Sequence, residues 1–150
     1  MAEITYPSIA GPAFAHLGSP CVAFEKYDGS NLRFFWDQKR GWHSSGTRYR
    51  WFKAATPTFG AAIELFQLQY AKGISDTLRR FIEYRGVTEL VAFCEFFGAS
   101  TFSGLHKDGE PKHLLLFRCV SARERLCLPA RLRCSFRPHA ARTGRLRRPV

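Results

Sequence analysis

The sequence predicts an α+β fold with a mostly antiparallel sheet and flanking helices. Residues 21–51 and 88–117 hold short apolar runs separated by turn residues, which is typical of strands, whereas residues 60–86 repeat apolar side chains at helical spacing. Strands, then helices, then strands in chain order favour an α+β arrangement. The length of 150 residues suits one domain with its own core. No run approaches about 18 consecutive apolar residues, so no membrane span is expected.

The first part of the predicted sheet surrounds the first lysine of the chain. Residues 21–26 are predicted as a strand that ends at Lys26, residues 32–36 as a second strand, and residues 39–44 as a turn that leads into a third. Residues 46–50 either continue the sheet or leave it. A lysine at the mouth of a strand, just before a glycine turn, can be held rigidly with its amine aimed into a pocket.

Two helices are predicted next. The first spans about residues 60–72 and is broken by Gly73. Ser75 is placed to cap the N-terminus of the second helix, and Gly86 to cap its C-terminus. The apolar residues that recur at helical spacing in this second helix are Leu78, Phe81 and Ile82.

Two further strands complete the predicted sheet. Residues 88–97 form an apolar strand that contains Glu95. Because a buried acid without a partner is costly, Glu95 is expected to have a functional role or a salt-bridge partner. A turn at Asp108 and Gly109 leads into the last predicted strand, at residues 113–117.

The end of the chain differs in composition. Residues 1–117 hold 13 Lys and Arg against 11 Asp and Glu, a net charge of +2, whereas residues 118–150 hold ten arginines, no lysine and one acid, a net charge of +9. No helical or strand period persists in this second part. We expect residues 118–150 to be a disordered Arg-rich tail, with a composition typical of out-of-frame translation of a GC-rich gene. A genuine basic arm for nucleic acid is the alternative.

The sequence Lys-Tyr-Asp-Gly at residues 26–29 resembles the nucleophile motif of the ATP-dependent nucleotidyltransferases: DNA ligases, RNA ligases and mRNA capping enzymes. Asn31, five residues after the lysine, is similar to the RNA ligase 2 type, whereas the other two groups usually have Arg there. Residues 93–98, with a central Glu, resemble the third motif of the family, and residues 114–117 resemble the start of the next. The order and spacing fit the family over roughly residues 20–117.

The resemblance implies that residues 1–117 are part of an RNA ligase adenylyltransferase domain with a partial nucleotidyltransferase or ATP-grasp-like ligase fold. In this family the lysine, here Lys26, attacks the α-phosphate of ATP to give lysyl-AMP and pyrophosphate. AMP then passes to a 5′-phosphate, and a 3′-hydroxyl displaces it to join two RNA ends, as in a nicked duplex. ATP and Mg²⁺ are the implied cofactors, and RNA is the implied partner. The resemblance also implies a cytoplasmic location, and no signal peptide is expected from the N-terminal sequence.

The resemblance also implies roles for the residues near the lysine. Asp28 and Gly29 would shape the loop. No metal-ligand set is predicted among the protein side chains, because His106 and His113 lack ligand spacing. The residues implied to contact ATP or AMP are Glu25, Asn31, Arg48, Glu95 and Phe117.

Several of these residues have a structural alternative. Glu25 can face solvent, Arg40 or Arg50 can take the role of Arg48, and Phe117 can belong to the core. Four further aromatic or imidazole side chains are candidates for base stacking, although a core position is favoured for them: Trp36, Trp42, Trp51 and His43.

The later motifs of the family are missing from this sequence. Phe117 is followed by Arg118 where the family has Asp, and no lysine follows Lys112, so no Lys-x-Lys motif is present to bind ATP phosphates. We therefore expect a truncated and catalytically impaired RNA ligase. A DNA ligase or capping-type nucleotidyltransferase is one alternative, and a non-catalytic protein that binds nucleic acid through the Arg-rich tail is another. The sequence predicts no oligomeric state.

Overall fold

A computed structural model describes residues 26–52, 57–101 and 106–121. They form a four-stranded antiparallel sheet with a helical segment against one face, which confirms the predicted α+β class. The strands lie in the order β2-β1-β3-β4. Their bounds are β1 (Ser30–Asp37), β2 (Gly41–Thr47), β3 (Glu89–Phe97) and β4 (His113–Ser121).

The predicted strands at residues 32–36, 42–44 and 88–97 are confirmed as β1, β2 and β3. For the strand predicted at residues 21–26, residues 21–25 lie outside the described part of the chain. Lys26 itself lies in irregular backbone before β1. The lysine is therefore on a loop that enters the sheet at the start of β1.

Side chains alternate between the two faces of the sheet. Leu32, Phe34 and Trp36 of β1 belong to the core cluster beneath the helix, so Arg33 and Phe35 lie on the opposite face, called the second face below. On β3 the same alternation assigns Cys94 and Phe96 to the helix side and Phe93 and Glu95 to the second face.

The helical segment runs without a break through α1 (Gly60–Phe66), a π-helical turn (Gln67–Ala71) and α2 (Lys72–Arg80). The break predicted at Gly73 is wrong, because the burial of Ile74 continues the apolar stripe past the glycine and tertiary packing outweighs its weak helix propensity.

The caps predicted for the second helix are also wrong. Ser75 lies inside α2, and its hydroxyl accepts a hydrogen bond from Trp42 Nε1 at 3.1 Å instead of capping a terminus. The helix ends at Phe81, whose backbone is extended, well before Gly86. After it comes a single 3₁₀ turn, whose first residue, Ile82, is 72% exposed.

Strand β4 extends four residues past the predicted end of the folded part. Arg118 pairs with Phe93, and Ser121 pairs with Leu90. Residues 118–121 therefore belong to the sheet, and the predicted tail boundary at 117/118 is wrong by that amount. Cys119 is buried in the core between the partly buried Arg118 and Val120, and the arginine content of the following residues hid this strand pattern. The rest of the tail, residues 122–150, lies outside the described residues.

Two contacts fix the helix on the sheet. The rings of Phe34 and Phe66 stack with centroids 3.8 Å apart. The Tyr70 hydroxyl donates a hydrogen bond to the carbonyl of Leu114 at 2.8 Å, which ties the π-helical turn to β4. None of the helices in the described ranges combines the length and apolar character that a bilayer crossing requires.

Candidate functional site

The lysine loop, residues 26–29, is attached to the end of β3. The Tyr27 ring stacks on the Phe97 ring with centroids 4.6 Å apart. His106 Nε2 donates a hydrogen bond to the backbone carbonyl of Asp28 at 3.0 Å. Two consecutive loop residues are thus bound to partners on β3 and on the connection between β3 and β4, which restrains the backbone next to Lys26.

Gly29 is required by close approach of the loop to β3. A Cβ atom at this position would lie 2.5 Å from the backbone oxygen of Phe96 and 3.0 Å from Cβ of Phe97. Because such distances are not tolerated, only glycine lets the loop lie against the strand. The backbone N–H of Gly29 donates a hydrogen bond to the carboxylate of Glu95. The loop-shaping role expected of Gly29 thus has a specific steric basis.

Asn31 and Glu95 form the centre of the site. They are paired across β1 and β3, and the Asn31 side chain hydrogen-bonds the Glu95 carboxylate. Burial raises the pKa of Glu95, while the Asn31 hydrogen bond, the Lys26 charge and the Gly29 N–H act in the opposite direction. Lys26 and Asn31, predicted from the sequence around the lysine, and Glu95, predicted from a separate strand, therefore lie together at one end of the sheet.

The exposure and contacts of Lys26 and Glu95 indicate which interactions each side chain can make with a ligand. Lys26 is exposed, so its amine can reach a ligand bound at the end of the sheet. Glu95 is half-buried and oriented by two donors, so it can accept a further hydrogen bond from a hydroxyl group.

Arg48 lies just beyond β2. It is exposed, and its guanidinium lies 5.9 Å from the centroid of the Tyr49 ring. Thr47, the last residue of β2, pairs with Leu32, so the turn that contains Arg48 begins level with Asn31. Arg48 is therefore at the same end of the sheet as the lysine loop.

The other two predicted contacts have different outcomes. Phe117 packs on the second face with Phe35, Val91 and Phe93, which is the contact that the core alternative predicts. Glu25 lies outside the described residues.

Sequence reasoning missed Phe97 and His106. Both hold the lysine loop, and their rings stack with centroids 6.4 Å apart. Their contacts join parts of the chain far apart in sequence, so spacing gave no signal for them. The only indication in the sequence was that Phe97 lies two residues after Glu95.

Within residues 26–52, 57–101 and 106–121, no three His, Cys, Asp or Glu side chains are grouped to hold a metal ion. Mg²⁺ is commonly bound through one or two carboxylates together with phosphate oxygens of a nucleotide. Asp28 is close enough for its charge to contribute to the raised pKa of Glu95, and these two carboxylates fit such a partial ligand set.

Comparison of the chain with family models, with curated proteins and with solved structures finds no match. The lysine loop and the Asn31–Glu95 pair are therefore the features from which a function is inferred.

Proposed function

We propose that this chain contains the nucleotide-binding part of an ATP-dependent RNA ligase, with Lys26 as the nucleophile. The observation that supports this most directly is the meeting of Lys26, Asn31 and Glu95 at one end of the sheet. A Lys-x-Asp-Gly sequence that arose by chance would not be expected to place its following Asn against a Glu from a second motif in another strand.

The proposed chemistry begins at Lys26. Its amine, after loss of a proton, forms a P–N bond to the α-phosphate of ATP as the bond to pyrophosphate breaks. AMP then moves to a 5′-phosphate and the amine is restored. A 3′-hydroxyl finally forms the phosphodiester and AMP leaves. In this scheme Glu95 accepts a hydrogen bond from a ribose hydroxyl, and Asn31 holds Glu95 in position.

Mg²⁺ bound with the nucleotide would neutralise phosphate charge, with Glu95 and Asp28 as the available carboxylates. Because no lysine follows Lys112 in the sequence, it contains no Lys-x-Lys motif of the kind that binds ATP phosphates in the ligase family. The proposal is therefore a ligase-type site whose first step is slow.

Self-labelling tests the proposal. The full chain is incubated with α-labelled ATP and Mg²⁺, and covalent label is followed over hours. We expect a slow label that Lys26→Ala abolishes and that Lys39→Ala, a change at another exposed lysine, retains. Absence of label, or equal loss of label in both variants, would refute the assignment of Lys26 as the nucleophile. A fast, robust label would refute only the expected impairment.

RNA ligase is favoured over DNA ligase and capping enzyme by Asn31. Supplying a pre-adenylylated strand bypasses the slow step and allows sealing to be compared on nicked RNA and nicked DNA. Preference for the nicked RNA is the expected result.

A non-catalytic role is the competing proposal, favoured by the ten arginines of residues 118–150. It predicts nucleic-acid binding that weakens steeply with salt. Since residues 118–121 belong to β4, the appropriate deletion removes residues 122–150. Loss of all binding on this deletion, together with no label at Lys26, would favour this role.

A further inference from the structure

The chain reverses direction directly after β2. The backbone N–H of Thr47 donates to the carbonyl of Arg50 at 2.8 Å, and the N–H of Phe52 donates to the carbonyl of Ser45 at 2.7 Å. The Thr47 hydroxyl also accepts a hydrogen bond from the N–H of Arg50 at 3.3 Å. These contacts fix the turn as a hairpin. We call residues 48–51 the Arg–aromatic turn, because arginine and aromatic residues alternate in it: Arg48, Tyr49, Arg50 and Trp51.

Trp51 is held against the second face of the sheet. It forms a β-bridge to Gly46. Because glycine has no side chain, the backbone of Arg50 and Trp51 can lie in the space that a Cβ atom would fill. The guanidinium carbon of Arg33 lies 4.0 Å from the centroid of the Trp51 ring. Arg33 is only 1% exposed, whereas Trp51 remains 40% exposed. The indole is thus fixed from beneath by a cation–π contact and partly open to solvent.

Tyr49 is the other open ring of the turn. Its side chain is 82% exposed, more than that of any other aromatic residue in the described ranges. Of the four residues considered for base stacking, Trp36 is buried, and Trp42 packs beneath the helix. His43 is half-buried beside Asp37, so Trp51 is the one that the fold leaves accessible.

We propose that the Arg–aromatic turn binds a single-stranded segment of nucleic acid, with bases stacked on Tyr49 and Trp51 and phosphates beside Arg50. Aromatic rings interleaved with cations suit this ligand, since bases offer π-faces and the backbone offers negative charge. A base-paired duplex keeps its bases stacked on one another, so it gains less from open rings. An uncharged partner would gain nothing from the arginines, and an acidic partner without flat aromatic groups would gain little from the open rings.

The position of the turn brings the proposed binding surface close to the lysine loop. It begins level with Asn31, at the end of the sheet that carries the lysine loop. The identity of the strand as a ligation substrate rests on the proposed function. The binding itself does not, because it involves neither Lys26 nor ATP.

The test is fluorescence anisotropy with a labelled single-stranded RNA of about 12 nucleotides, a length suited to stacking surfaces of this kind. The full chain is used throughout, so that the Arg-rich tail contributes equally to every variant. We expect Tyr49→Ala to weaken binding by roughly 5- to 100-fold. Phe81→Ala is the matched control, since Phe81 is also an exposed ring beside an arginine, at the end of α2, and this change should leave affinity unchanged.

Tryptophan emission supplies a second measurement that does not depend on a destabilising substitution. Stacking of a base on Trp51 should quench part of the emission on RNA addition, and Trp51→Phe should remove that part. Unchanged affinity in Tyr49→Ala, equal loss in Phe81→Ala, or tighter binding of duplex than of single-stranded RNA would overturn the proposal. If the parent chain does not label itself with ATP but still binds the RNA, only the ligase function is overturned.

Discussion

The side chain of Asn31 hydrogen-bonds the carboxylate of Glu95, and the two residues are direct neighbours across β1 and β3. This pair joins the strand that follows the lysine loop to the strand that carries the candidate acid. Burial raises the pKa of Glu95, and the amide of Asn31 partly offsets that cost by stabilising the charged form. The partly buried carboxylate of Glu95 therefore costs the folded state some stability.

Glu95→Gln should therefore change the pH dependence of stability. A raised pKa in the folded state means that the native protein binds a proton more tightly than the unfolded chain does. The free energy of unfolding then falls as the pH rises from about 4.5 through the raised pKa of Glu95. Glutamine cannot ionise, so the variant should lack this fall, and its stability relative to that of the parent should be greater at pH 7 than at pH 4. Urea unfolding from pH 4 to pH 8 measures the difference.

Glu83→Gln, at an exposed acid in the 3₁₀ turn, is the control for this experiment. It should retain the pH dependence of the parent. Identical pH profiles of stability for Glu95→Gln and the parent would contradict the conclusion that burial raises the pKa of Glu95. Glu95→Gln should also reduce self-labelling, which would separate stability from function at one position.

Trp42 is expected to stabilise the π-helical turn. Its Nε1 donates to the carbonyl of Ala71 at 3.0 Å and to the Ser75 hydroxyl at 3.1 Å, and its ring packs edge-on against Phe66. Trp42→Phe keeps an aromatic ring but removes both hydrogen bonds, so it should lower the free energy of unfolding by about 1–2 kcal/mol. Denaturant unfolding measures this. Ser75→Ala removes one acceptor and should cost less; an equal cost would show that the Ala71 contact is unimportant.

The strands could be predicted because short apolar runs bounded by turn residues are a local signal. The course of the helix could not, because Gly73 is tolerated only through the burial of Ile74 and the packing around it. In the candidate site, too, some residues could be predicted from local sequence and others only from tertiary contacts. Lys26 and Glu95 stand out in the sequence by motif, whereas the contact of His106 with the lysine loop exists only once β3 and β4 are paired.

Asp37 is expected to stabilise the fold at neutral pH and to lose that contribution in acid. The backbone N–H of Arg40 is the main reason that the pKa of Asp37 is lowered to about 2, and the Arg40 guanidinium and the Lys39 N–H act in the same direction. A lowered pKa stabilises the folded state above the ordinary value of 3.8, and that stabilisation is lost as the pH falls to about 2. Asp37→Asn should therefore be less stable at pH 7 and show a shallower loss of stability between pH 4 and pH 2. Acid titration followed by circular dichroism checks this. Asp76→Asn, at an exposed helix pair with Lys72, should have a smaller effect.

Gly29→Ala should displace the lysine loop. The added methyl group would lie 2.5 Å from the oxygen of Phe96 and 3.0 Å from Cβ of Phe97, both on a central strand that cannot move aside. We expect a loss of about 1–3 kcal/mol in the free energy of unfolding, and a larger loss of self-labelling, because Lys26 moves with the loop. Gly86→Ala is the control, since nothing lies within 4 Å of the Cβ it would add. If both variants unfold at the same denaturant concentration and label equally, contact between the loop and β3 does not position the lysine.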